Sequence, residues 1–117
     1  MINNEVITEI RAVLIKDWDP LGIGTNLNLG DEYDGYIGSI IHILMYTPSL
    51  ESIISLLKKI ENEDMGIENT DTKYLYPIAT KLVKIGEKFH IWATSMIRIK
   101  AIIKLYSDSR KTPFLSG

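Results

Sequence analysis

The chain has 117 residues, enough for one domain with a core that needs no covalent staples. Its 45% hydrophobic and 24% charged residues are those of a water-soluble globular protein, and the absence of cysteine excludes disulfides, thiolate metal sites and cysteine nucleophiles. The net charge of −2 hides an asymmetry: residues 1–70 hold 12 acids against 4 bases, net −8, and residues 71–117 hold 3 acids against 9 bases, net +6.

No apolar stretch follows a basic start at the N-terminus, where Glu5 and Glu9 interrupt the pattern, so a secretory signal is not expected and a cytoplasmic location is. Asn3 or Asn4 suits the cap of a first helix with Val6, Ile7, Ile10, Val13 and Leu14 at helical spacing. Pro20 disfavours a helical Asp19, so this helix should stop near Asp17. Residues 18–31 carry Pro20, Gly22, Gly24, Asn26, Asn28 and Gly30, which predicts a long structured loop. Leu21, Ile23, Leu27 and Leu29 within it are expected to pin it to the core.

A second helix is expected from about Asp31 or Glu32, with Tyr33, Ile37, Ile40, Ile41 and Leu44 on its buried face. The uncharged run Ile40 to Tyr46 is far too short to span a bilayer. Thr47-Pro48-Ser49 marks a junction, and Leu50, Ile53, Ile54, Leu57 and Ile60 form the clearest amphipathic stripe, ending between Glu61 and Gly66. A fourth helix is predicted from the low seventies to Ile85, with Tyr74, Ile78, Leu82 and Ile85 on one face, Pro77 in its first turn or marking its start, and Gly86 as its end or interruption. Over Phe89 to Tyr106 the residues Trp92, Met96, Ile99, Ile103 and Tyr106 favour a helix. The alternation at Ile97–Ala101 is that of a strand, for which no partner strand is evident. The expected fold is an all-α single-domain bundle of about four to five helices, with a long structured loop after the first and a frayed tail beyond Ser107.

Asp17, Asp19 and Gly22 match positions one, three and six of a calcium loop, but Leu21 and Asn28 occupy the fifth and twelfth, so the pattern fails as a metal site. It reads instead as a turn capped by Asp19 and anchored by Trp18. His42 and His90 are the only histidines and make no close-spaced ligand set. No nucleophile elbow or phosphate-cradling loop is present, so neither enzymatic activity nor a cofactor is expected. Lys81, Lys84, Lys88, Arg98, Lys100, Lys104, Arg110 and Lys111 read as a solvated basic face, since no nucleic-acid reading motif accompanies them.

The run from Lys16 to Gly66 resembles a family of small bacterial helical domains of unknown function. The likeness is carried by Trp18-Asp19-Pro20-Leu21-Gly22, then Asp31-Glu32-Tyr33-Asp34-Gly35-Tyr36, then the Leu57 and Ile60 face and Met65-Gly66. It extends to Ile78–Leu82, which makes residues 1–85 a family-like core and 86–117 a C-terminal addition. Proteins similar to it look like immunity proteins of contact-dependent inhibition systems, small inhibitors that neutralise a delivered toxin. The resemblance implies a cognate protein toxin as partner, bound without chemistry. The acidic first half suits a basic nuclease toxin, with Asp17, Asp19, Asp31, Glu32 and Asp34 as contact residues. Trp18, Pro20, Gly22, Tyr33 and Tyr36 would hold the loop. Neither membrane nor nucleic acid is an expected partner. The alternative is a helical adaptor or regulatory module, without a toxin, that self-associates through its opposite charges.

Overall fold

The computed structural model describes residues 3–91 and Lys104, with the side chain of Leu27 excepted. The fold is all-α. Helix α1 spans Asn4–Val13, α2 Ile37–Tyr46, α3 Leu50–Lys59 and α4 Thr72–Lys88. The predicted helix over 89–106 lies outside the described residues beyond Ile91, apart from Lys104.

Each helix begins where a side chain satisfies a free backbone N–H, except α2. The Asn3 carboxamide accepts from Val6 N at 3.1 Å, Ser49 Oγ from Ser52 N at 3.1 Å and Asp71 from Lys73 N at 2.9 Å. The predicted buried stripes of α1 and α3 are observed: Val6, Ile10 and Val13 on α1, Ile53 and Leu57 on α3. Both helices widen into a π-helical turn, Leu14–Trp18 after α1 and Ile60–Asp64 after α3. These wider turns bring Trp18 and Glu61 into the interior.

Helix α2 starts later than expected. Residues 26–36 advance instead by tight turns, with backbone bonds from Leu29 to Asn26, Glu32 to Leu29, Asp34 to Asp31 and Tyr36 to Tyr33. Gly30 and Gly35 each weaken an α-helix here by about 1 kcal/mol. The tighter path also puts the buried Tyr33 against Trp18, their ring centroids 5.4 Å apart. Ile37, Ile40 and Leu44 are buried as predicted, and Ile41 is half-buried.

Helix α4 packs against α1, α2 and α3 and carries Leu75, Ile78, Ala79, Leu82 and Ile85 inward. Three expectations are corrected here. Tyr74 is 40% exposed, and Leu75 takes the inward position one residue on. Pro77 lies inside the helix, past its first turn, where it forgoes the bond to the Lys73 carbonyl. The helix also continues through Gly86, which is buried because Leu44 crosses it: a Cβ there would stand 3.2 Å from Leu44 Cδ2. The helix ends at Phe89, and His90 turns left-handed at φ 54°, which returns Ile91 to the core.

Candidate functional site: a clasped acidic loop

The loop after α1 is held by two hydrogen-bonded centres. The first is Asp19, whose left-handed backbone, φ 32°, ends the π-turn and lets its amide bond to the Leu14 carbonyl at 2.8 Å. Its Oδ1 accepts from Ile23 N and from Tyr33 Oη, both at 2.8 Å, and its Oδ2 accepts from Gly24 N at 2.9 Å. Tyr33 Oη in turn accepts from Leu21 N at 3.1 Å. Burial pushes the Asp19 carboxyl upward, but the Tyr33 hydroxyl and the amides of Ile23, Gly24 and Gly22 outweigh it and hold the group below the ordinary aspartate value. Burial pushes the Tyr33 phenol up to about 12, with Asp19 adding to the rise against the Leu21 amide. Gly24 is required: a Cβ there would stand 2.6 Å from the Ile15 carbonyl oxygen.

The second centre is Glu61. It is 1% exposed and accepts from Trp18 Nε1 at 2.8 Å, from Tyr74 Oη, and from Thr70 Oγ1 at 3.1 Å. Thr70 Oγ1 shares its proton with Asn62 Oδ1 at 3.0 Å. Burial, then the Glu61 charge, raises the Tyr74 phenol well above the usual tyrosine value. Glu61 was not among the residues expected to matter. The signal for it is its position: it stands four residues after Leu57 on the apolar stripe of α3, where an acid requires buried donors. Trp18, with an indole N–H to satisfy, is one such donor.

The five acids expected to face a partner divide. Asp17 pairs with Lys81 Nζ at 2.7 Å, and Asp34 with Arg11, bidentate at 2.7 and 2.9 Å. Asp19 is consumed by the turn. Asp31 and Glu32 are exposed and have no ion-pair partner among the described residues. The calcium-like positions Asp17 and Asp19 are therefore engaged with a lysine and with backbone amides. Of the loop aliphatics, Ile23 packs on the core, whereas Leu21, expected to pin the loop, is 48% exposed.

Tyr36 packs edge-on against Trp18, with 6.2 Å between centroids. Burial, then Asp64, then Glu32 raise its phenol, so acids from two separate segments face it. A cleft of about 260 Å³ lies beside it, lined by Tyr36, Ser39, Leu56, Lys59, Ile60 and Asp64. Pro20 and Gly22 form the turn itself, with Gly22 N bonded to the Asp19 carbonyl at 3.1 Å and Gly22 at φ 68°. Among the described residues no group of three His, Asp or Glu side chains is placed to hold a metal ion, and no helix is long and apolar enough to cross a membrane. Comparison with protein-family models, curated proteins and solved structures gave no match.

Proposed function

We propose that this chain is an immunity protein, which binds a cognate bacterial toxin and occludes it, with the loop at Asp31 and Glu32 set against a basic nuclease surface. The observation that carries the reading is the clasp. Asp19, Tyr33, Trp18 and Glu61 fix the loop's path, and Asp31 and Glu32, without an ion-pair partner among the described residues, ride on it. A surface already ordered loses little conformational freedom on binding, which is what a tight inhibitor without chemistry requires. Asp17 and Asp34 add to the local negative field, though each shares its charge with a base of its own chain. The motif at residues 18–22 and 31–36, with its resemblance to domains that look like immunity proteins, supports the same reading.

Calorimetry with the toxin encoded immediately upstream tests it. Tight, salt-sensitive binding that weakens on Asp31→Lys and Glu32→Lys is expected. Affinity that survives both reversals would remove this surface from the proposal, and absence of any such toxin would remove the function.

A further inference from the structure

We propose that copies of this chain associate head to tail, the Leu21 knob of one copy, carried on the same clasped loop as Glu32, seating in the lysine-rimmed groove between α1 and α4 of the next. The groove is shallow and open, with a volume of about 370 Å³. Its floor is Ala12, Val13 and Ile85, and its rim is Lys81, Lys84 and Lys88 with Glu9 opposite. The lysines follow one edge of α4 over roughly 10 Å, at 1.5 Å per residue. Lys81 and Lys88 bond to Asp17 and Glu9 at 2.7 Å each, which shows how carboxylates sit on this rim. Lys84, between them, has no ion-pair partner among the described residues. Ala12 contributes only a methyl group, so the floor above Ile85 stays open to an incoming side chain.

The complementary surface is on the same chain. Leu21 is 48% exposed, and its amide is held by the Tyr33 hydroxyl at 3.1 Å. Glu32 adjoins Tyr33 in sequence, so an apolar knob and an exposed acid without an ion-pair partner among the described residues are carried by one clasped loop. Leu21 does not line its own groove. Glu32 and Lys84, neither with an ion-pair partner among the described residues, carry the opposite charges that favour that contact over the pairing of like surfaces. Because the two surfaces differ, the contact is heterologous and builds a ring or an open chain.

Sedimentation velocity on the full chain, over a range of concentrations at low and high salt, tests the proposal without any toxin. Association at low salt that dissolves at high salt is expected. Lys84→Glu and Glu32→Lys should each weaken it by about tenfold or more, and the double variant should restore it. An equimolar mixture of the two single variants should also associate, with the variants alternating, because every contact between unlike copies joins opposite charges whereas contacts between like copies repel. Leu21→Asp should abolish association while circular dichroism shows an unchanged helical fold. A monomer at every concentration, or association that Lys84→Glu and Leu21→Asp leave unchanged, overturns the proposal. Toxin affinity unaffected by Lys84→Glu keeps this result separate from the inhibitor reading.

Discussion

Trp18 donates its indole N–H to Glu61, 43 residues further along the chain, in a site where the two side chains are 3% and 1% exposed. The bond ties the loop after α1 to the junction between α3 and α4. Tyr74 and Thr70 complete the shell of the carboxyl group, so neutral donors satisfy a buried acidic side chain without an ion pair among the described residues.

Removing either partner of this bond leaves the other buried and short of hydrogen bonds. Trp18→Phe should cost about 1–3 kcal/mol, Tyr74→Phe less because that residue is 40% exposed, and Glu61→Ala more than either, because it strips the buried Trp18 indole and two further donors of their acceptor. Urea unfolding of the single and double Phe variants measures this. A coupling energy of at least about 0.5 kcal/mol between Trp18 and Tyr74 is expected from their shared acceptor oxygen.

Two glycines should respond in opposite directions. Gly24→Ala places its methyl 2.6 Å from the Ile15 carbonyl oxygen, a backbone atom that cannot step aside, and should destabilise the protein by about 1–3 kcal/mol. Gly38→Ala, inside α2 with nothing within 4 Å, should stabilise it by about 0.5–1 kcal/mol. Thermal unfolding distinguishes the two signs.

The loop should soften at both ends of the pH scale. Asp19 is held below its ordinary value of 3.8, so its contribution is present above that value and is lost as pH falls through the lower, folded-state value. Tyr33 is raised from 10.0 to about 12, so its contribution is complete below pH 10 and is lost as pH rises towards 12. Ultraviolet titration should show late-titrating phenols, Tyr33 and Tyr74 among them, and Tyr33→Phe should remove one of these. Asp19→Asn should flatten the acid limb of stability.

The surface ion pairs should matter little to stability. Asp17 and Lys81 keep 35% and 54% of their side chains exposed, and water screens much of their attraction. Asp17→Asn and Lys88→Ala should each shift stability by less than about 1 kcal/mol in chemical denaturation. In toxin binding, Asp17→Asn should weaken affinity less than Glu32→Lys, because the Asp17 charge is already shared with Lys81.

Much of the architecture was legible from periodicity. The stripes of α1 and α3 repeat over enough turns to set their phase, and Asn3 and Ser49 sit where a cap belongs. The misplacements have local causes. Tyr74 and Leu75 are adjacent apolar residues at the start of a helix, and one residue of phase decides which turns inward. The start of α2 depends on Tyr33 being drawn to Asp19, a contact between side chains 14 residues apart. The acids were readable as a group but not individually. Arg11 and Lys81, which neutralise Asp34 and Asp17, lie on other helices and leave no trace in local spacing. Glu61 was hidden because an acid near a helix end ordinarily faces water; only its register with Leu57 indicates otherwise.

The Tyr33 hydroxyl both donates to Asp19 and accepts from Leu21, so one oxygen atom couples the two sides of the loop. Its loss, in Tyr33→Phe, would leave the ring against Trp18 and the helices in place while freeing the backbone around Leu21. Rigidity of this loop is thus separable from the folding of the bundle. The difference would register as entropy: a partner meeting the loosened loop would have to order it, and the heat and the affinity of binding would part company.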